Sequence, residues 1–315
     1  MCIRDRYYLG QQVAELRRAL EVMRSISGHA EVQATAVAVF IAVGDRQVSR
    51  DEDARPIARE CLLADPHAAL PLVRAHGKAA WARELIPQLE RLVTGPAQVD
   101  YADPAALPAA LRAPAPAKTK FPEFWNVELL PPLMLASGKA VPSPHLGALV
   151  VALRADDAAG LRELRDAADR KALAQFGWEL FQLWLQGGAP PKEKWAFTGL
   201  GALGNDETAR RLTPLIRAWP GESQHARATL GLDVLGQIGS DVALMMLNGI
   251  AQKLKFKGLQ ERAREKMHEI AQTRGITAEQ LADRLVPDLD LEDDGSKTLD
   301  FGPRSFRGGF DETLA

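Results

Sequence analysis

With 315 residues, of which 46% are hydrophobic and 25% charged, the chain is long enough to bury a substantial core and to form two structural units. Its net charge of −2 at pH 7 excludes a general electrostatic attraction to nucleic acid or to a membrane. The two cysteines, Cys2 and Cys61, allow at most one disulfide and lack metal-binding or redox spacing. We therefore expect a cytoplasmic protein without cofactors.

Residues 1–93 are predicted to form an N-terminal helical region, because apolar residues recur there at helical spacing between short breaks. The longest apolar run, from Ala34 to Val43, is too short to span a bilayer and lacks the flanks of a signal peptide. This run is therefore predicted to be a buried helix, and we expect no membrane association.

The first five residues, Met1-Cys2-Ile3-Arg4-Asp5, can be encoded by the recognition end of a transposase that is used to prepare sequencing libraries. Our hypothesis is that residues 1–5 are an assembly artefact, and they carry no weight in the fold prediction. Under this hypothesis Cys61 is the only native cysteine.

Residues 94–145 form a proline-rich segment that contains ten of the chain's 20 prolines. Proline fixes φ and lacks an N–H group, so long regular elements are disfavoured here. Phe121, Phe124 and Trp125 make the segment too apolar for a free linker. We expect an extended segment that crosses the helical surface and is held there by these rings.

Residues 146–290 contain a repeated turn. The stretch from Leu200 to Asp206 returns as Leu235 to Asp241, and each residue of the second copy lies 35 positions after its counterpart (239 − 204 = 35). The apolar positions of the helices that follow obey the same shift, so Leu212 corresponds to Leu247. A fixed period in this range is typical of stacked helical repeats.

The turn chemistry supports this interpretation. Gly204 and Gly239 are predicted to end a helix in the left-handed conformation, and the residues after them can cap the next helix. A third turn is predicted at Gly275, where Thr277 to Gln280 has the form of a capping box. The predicted fold class is therefore all-α, a HEAT-like α-solenoid of antiparallel helix pairs.

Residues 291–315 change period after an acidic run that begins at Asp288. Leu299 and Phe301 alternate with polar residues, and Gly302-Pro303 marks a turn, which is typical of short strands. We expect the start of a β-containing C-terminal domain that is truncated at Ala315.

Three stretches of the sequence resemble the bacterial MolR-like proteins: Lys192 to Phe197, Arg210 to Gly221 and Leu299 to Arg304. The resemblance extends from about Tyr101 to Ala315. It implies a HEAT-like region followed by a conserved domain of unknown function, with a WGR domain near the N-terminus of some members. The family name mentions molybdate regulation, and the resemblance implies no catalytic residues.

One cluster of basic residues stands out as a candidate contact for a partner or for phosphate groups. Its members are Lys253, Lys255, Lys257, Arg262, Arg264 and Lys266. A basic stripe is the footprint that nucleic-acid binding requires. We favour the alternative of a solvated helix face, because the chain as a whole is slightly acidic.

Two further patterns have alternative interpretations. Gly199 to Gly204 matches the G-x-G-x-x-G dinucleotide fingerprint, but a helical pattern precedes it where a strand is needed, so close helix packing is favoured. The tryptophans at positions 178, 184, 195 and 219 fit either core packing or an exposed binding groove.

The leading functional hypothesis is a non-catalytic scaffold whose concave surface binds a protein partner or a missing C-terminal domain of the same protein. Solenoids present extended surfaces, and no nucleophile–base pair or metal-ligand set is evident in the sequence. One alternative is a nucleic-acid-associated transcriptional regulator of the molybdate-metabolism type. A second is a platform for an enzyme domain beyond residue 315.

Overall fold

A computed structural model describes residues 30–43, 55–95, 99–284, 297–300 and 305–308. These residues are mainly helical, as the sequence predicts. The predicted artefact at residues 1–5, the acidic run from Asp288 to Asp294 and the Gly302-Pro303 turn lie outside the described residues.

The helices are numbered in chain order. Those before the proline-rich segment are α1 (Ala30–Val43), α2 (Arg55–Ala64), α3 (Pro66–Arg74) and α4 (Ala80–Thr94). A single turn, α5 (Ala109–Arg112), precedes α6 (Ser143–Arg154), α7 (Ala158–Ala167) and α8 (Arg170–Gln186). The remaining helices are α9 (Trp195–Thr198), α10 (Leu200–Leu203), α11 (Asp206–Ala218), α12 (His225–Ile238), α13 (Asp241–Lys253), α14 (Lys257–Thr273) and α15 (Ala278–Arg284).

The N-terminal helices have a hydrophobic core of their own. The apolar run from Ala34 to Val43 lies in α1, and Ala36 and Val39 are completely buried there, which confirms the predicted buried helix. Helix α1 packs against α2 and α3, and α3 packs against α4. In the described part of the chain, every helix is too short or too polar to cross a bilayer.

The proline-rich segment lies against the helices that follow it. Besides α5 it contains the 3₁₀ turns Pro104–Ala106 and Val127–Leu129. The ring centroid of Phe124 lies 6.0 Å from that of Trp195, and Phe121 stacks on Trp125 at 5.8 Å. The rings therefore hold the segment to the helical surface, as the sequence predicts.

From α7 onward the helices lie in two layers. In the first layer α7 contacts α10, α10 contacts α12 and α12 contacts α14. In the second layer α8 contacts α11, and α11 contacts α13. The 35-residue shift relates α11 to α13, and both Leu212 and its counterpart Leu247 are completely buried. The period in the sequence thus connects neighbours within one layer.

The turns between these helices are formed in two different ways. Gly239 has the predicted left-handed conformation, with φ of 63°, and Ser240 caps α13 by accepting the N–H of Ala243. The prediction for Gly204 was wrong, because its φ is −76°. A Cβ atom at position 204 would lie 2.5 Å from the carbonyl oxygen of Leu200, so this glycine is required for space.

The third turn has the expected chemistry. Gly275 has φ of 69°. The Gln280 N–H donates to the Thr277 hydroxyl at 3.1 Å, and the Thr277 N–H donates to the Gln280 side chain at 3.0 Å, which completes the predicted capping box. Local backbone chemistry therefore positions α15.

Aromatic side chains fill the core between the layers. Phe197 is completely buried, and its ring centroid lies 4.9 Å from that of Phe181 and 5.5 Å from that of Trp219. All the tryptophans whose role the sequence left open are core residues, namely Trp178, Trp184, Trp195 and Trp219. At the C-terminal end, strand β1 (Lys297–Asp300) pairs antiparallel with β2 (Ser305–Gly308).

Candidate functional site: a groove along the first helical layer

A groove runs along the first layer of helices. Its larger part has a volume of about 690 Å³ and is lined by α7, α9, α10 and the 3₁₀ turn Pro191–Glu193. Its smaller part, of about 500 Å³, lies between α12 and α14. Thr198 and Gln237 line both parts, so the two adjoin at these residues.

Two glycines in the lining of the larger part are in close contact with side chains of neighbouring helices. A Cβ atom at Gly201 would lie 2.0 Å from the side-chain oxygen of Gln237, and one at Gly199 would lie 2.8 Å from the Leu153 side chain. The first two glycines of the G-x-G-x-x-G pattern therefore allow α10 to approach α12 and α6. Because helix α9 precedes this pattern and no strand does, the packing interpretation is confirmed.

The larger part has an excess of positive charge, and we call it the basic end. Arg154 is compensated, because its guanidinium lies 2.9 Å from the Glu193 carboxylate, which also accepts the indole N–H of Trp195. Asp156 is the other acidic residue in the lining. Four cations of the lining form no ion pair in the described part of the chain: Arg162, Arg165, Lys192 and Lys194.

The smaller part contains charges that neutralise each other, and we call it the paired end. Lys266 lies 2.9 Å from Asp233 and 2.7 Å from Glu269. Burial opposes protonation of Lys266, but its hydrogen bonds to Glu269 and Asp233 raise the net pKa above the usual value. The hydrogen bond from Lys266 lowers the pKa of Glu269.

Replacing Lys266 with methionine should raise the pKa of Glu269 toward its ordinary value, because the hydrogen bond that stabilises the carboxylate is removed. Carbon-detected NMR titration of the glutamate side chains measures this shift. Lys255→Met is a suitable control, since Lys255 is exposed and lies outside the groove lining. An unchanged Glu269 titration in the Lys266 variant would contradict the described network.

The structure divides the basic cluster that the sequence singled out. Arg262 and Lys266 belong to the ion-pair network of α14, where Arg262 lies 3.1 Å from Glu265. Arg264 donates to the carbonyl oxygen of Ala251 at 3.1 Å. The exposed members lie around the loop between α13 and α14, namely Lys253, Lys255 and Lys257. A role of the six residues in partner or phosphate contact stays a prediction.

Sequence reasoning missed the basic end. Arg162 and Arg165 are three positions apart on one face of α7, while Lys192 and Lys194 lie in a separate turn. In the sequence, the run from Lys192 to Phe197 is distinguished only by the family resemblance. The i,i+3 spacing in α7 was the one local signal, and the two pairs come together only through folding.

The second layer carries a buried polar junction with the N-terminal helices, which we call the Glu179 junction. Glu179 of α8 is 5% exposed. Its carboxylate accepts from Gln175 at 2.8 Å and lies 3.4 Å from the Arg91 guanidinium of α4. Arg91 also donates to the carbonyl oxygen of Leu129 at 2.6 Å, so this side chain connects three parts of the chain.

Two further arginines belong to the Glu179 junction. Arg59 of α2 donates to Gln88 at 2.5 Å, and burial lowers the pKa of Arg59 to about 10 although the charge of Glu179 opposes this effect. Arg211 of α11 lies over the Trp178 ring at 4.2 Å, and burial likewise lowers its pKa against the charge of Glu179. Glu179 thus compensates several guanidinium groups at once.

Within residues 30–43, 55–95, 99–284, 297–300 and 305–308, no three His, Cys, Asp or Glu side chains lie together as a metal site would require.

No protein-family model and no solved structure matches this chain. Over 200 residues, or 62% of this chain, it is 40% identical to a protein of Escherichia coli strain K12 named "Uncharacterized protein YehI". The chain spans only 16% of the length of that protein. It is therefore similar to one part of a much longer protein.

Proposed function

We propose that the chain is a non-catalytic scaffold, an α-solenoid of HEAT type that holds a segment of a protein partner in its groove. The contacts within each layer support the solenoid arrangement, because repeat proteins stack equivalent helices in this way to present an extended surface. The 35-residue shift between α11 and α13 supports it as well, since stacked repeats have a fixed period.

The observation that carries the proposal is that the two parts of the groove adjoin at Thr198 and Gln237 along successive helices. A groove that follows successive helices suits an elongated ligand better than a compact one, and a chain segment has that shape. Ala202 also lines the larger part and is half-buried, so a bound segment can contact a small apolar side chain there.

The proposal also concerns the longer protein to which the chain belongs. We infer that the chain is a segment of a MolR-like protein, and the three stretches that resemble this family support the inference. Because the chain spans 16% of YehI, a partner of the groove can also be another domain of such a long protein. If a longer protein of this kind carries an enzyme domain, the repeats would serve as its platform.

Replacing Gln237 with tryptophan should obstruct the groove where its two parts meet, because Gln237 lines both. A library of random peptides is selected on the immobilised chain, and the affinities of enriched peptides are measured by fluorescence anisotropy. We expect affinity to fall by about tenfold in the variant, since a bulky side chain displaces the bound segment.

Gln252→Trp is the matched control, because Gln252 is exposed on α13 in the other layer. It should leave peptide affinity within about twofold of the parent chain, since a surface change distant from a site rarely affects binding. A library that yields no enriched peptide, or peptides that bind equally well to both variants, would refute the scaffold proposal.

A nucleic-acid-associated regulator is the second candidate. The exposed lysines at positions 253, 255 and 257 favour it, together with Phe256, which is 38% exposed among them. Basic side chains with an interleaved aromatic ring can contact phosphates and stack on a base. This candidate predicts that affinity for single-stranded DNA falls steeply with salt and is lost when the three lysines are replaced by glutamate.

A further inference from the structure

The two ends of the groove differ in charge compensation. At the paired end, Lys266 has carboxylates on two sides, and Arg274 donates to the carbonyl oxygen of Gly239 at 2.9 Å. At the basic end, Arg154 already has Glu193 as its partner. Among the described residues of the lining, Asp156 is then the one acidic side chain left to oppose Arg162, Arg165, Lys192 and Lys194.

One of these cations is also short of a hydrogen-bond acceptor. The Nε atom of Arg165 is buried and has no partner. A buried donor without an acceptor is costly, and a charged one especially so. Because the Nε atom is enclosed, a ligand in the groove has to pair with the half-buried Arg165 guanidinium through its other nitrogen atoms.

A small apolar side chain also lines the basic end. Ala202 of α10 is half-buried there, whereas Leu161 of α7 is only 5% exposed. A ligand that pairs with the guanidinium and ammonium groups can therefore also contact Ala202. Carboxylates alternating with small apolar side chains satisfy both requirements.

Nucleic acid fits this end of the groove less well than an acidic peptide. Single-stranded nucleic acid is held by aromatic rings on which its bases stack. The one aromatic residue in the lining is Trp195, which is 6% exposed and gives its indole N–H to Glu193. The basic end thus has cations for negative charges but no exposed ring for bases.

We propose that the basic end binds an acidic segment of a protein partner, whose carboxylates pair with Arg162, Arg165, Lys192 and Lys194 while an apolar side chain of the segment contacts Ala202. This inference rests on the proposed scaffold function and specifies the chemistry of its partner. Bidentate pairing with the two arginines orients the segment, and the lysines add less directional attraction.

The test uses the same random-peptide selection. Peptides enriched on the parent chain should contain more aspartate and glutamate than the starting library, and their affinity should fall as salt rises. Reversing the four charges, with Arg162→Glu, Arg165→Glu, Lys192→Glu and Lys194→Glu, should weaken binding by at least about tenfold, because complementary charges become repulsive.

Two further variants make this result specific. The neutral set Arg162→Gln, Arg165→Gln, Lys192→Gln and Lys194→Gln should weaken binding by an intermediate factor, and far-UV circular dichroism checks the fold of both sets. The charge-reversal control Lys253→Glu, Lys255→Glu and Lys257→Glu, which changes three lysines outside the groove lining, should leave peptide affinity unchanged. Equal losses in control and test sets would overturn the proposal.

The remaining outcomes separate this proposal from the one on which it rests. Enriched peptides without an acidic excess, whose binding Gln237→Trp still blocks, would overturn the acidic-partner proposal and leave the scaffold function intact. A selection that enriches nothing would overturn both. Labelled single-stranded DNA that displaces the peptides, and that binds through the same four cations, would replace the acidic segment with nucleic acid.

Discussion

Replacing Phe197 with alanine should lower the free energy of unfolding by about 4 kcal/mol, which is in the upper range for a large-to-small change in a core. Phe197 is completely buried, and its ring contacts those of Phe181, Trp184 and Trp219 at centroid distances of 4.9, 5.6 and 5.5 Å. The substitution removes the centre of this aromatic cluster and leaves a cavity between the layers.

Urea denaturation followed by far-UV circular dichroism measures this change. Phe256→Ala is the matched control, because Phe256 is 38% exposed and should cost less than about 1 kcal/mol. Phe197→Leu should give an intermediate loss, since it retains part of the buried volume. Similar losses at positions 197 and 256 would show that the aromatic cluster does not stabilise the two layers.

Replacing Glu179 with alanine should lower the free energy of unfolding by about 3 kcal/mol, the range expected when one partner of a buried ion pair is removed. Burial lowers the pKa of Arg59 to about 10 even with the charge of Glu179 opposing this effect, so losing the carboxylate leaves a buried guanidinium with less compensation. The Arg91 guanidinium also loses its ion-pair partner, which lies 3.4 Å away.

Glu90→Ala provides the comparison for this prediction. Glu90 lies 2.7 Å from Arg74, but the two side chains are 42% and 57% exposed, so the pair should contribute less than about 1 kcal/mol. Thermal and urea denaturation of the two alanine variants measure the difference. If the Glu179 variant is no less stable than the Glu90 variant, the Glu179 junction does not join the N-terminal helices to α8.

Much of the helical pattern could be predicted from the sequence because the signals are local. Gly239 with Ser240, and Gly275 with Thr277 and Gln280, end one helix and start the next through bonds within a few residues. Gly204 shows where local reasoning was wrong. Glycine is required at position 204 because a Cβ atom there would collide with the Leu200 carbonyl oxygen. This close approach is visible only in the folded turn.

The candidate site was harder to predict, because charge compensation is not local. The cluster from Lys253 to Lys266 looks unopposed along the chain, yet Asp233 of α12 lies 2.9 Å from Lys266. At the basic end the reverse holds, because Arg165 and Lys192 are far apart in sequence but line the same groove. A count of charges along the sequence therefore predicts neither the pairing of Lys266 nor the excess of positive charge at the basic end.

The sequence by itself determined the all-α class, the repeated turn, the buried α1 helix and the rings that hold the proline-rich segment. These features depend on helical periodicity, turn chemistry and apolar content, which act over short stretches of chain. Only the tertiary structure decided which charges are paired, where the groove lies and that Arg91 reaches Glu179, 88 residues away. Those contacts depend on which helices stack together, and stacking depends on the packing of many side chains at once.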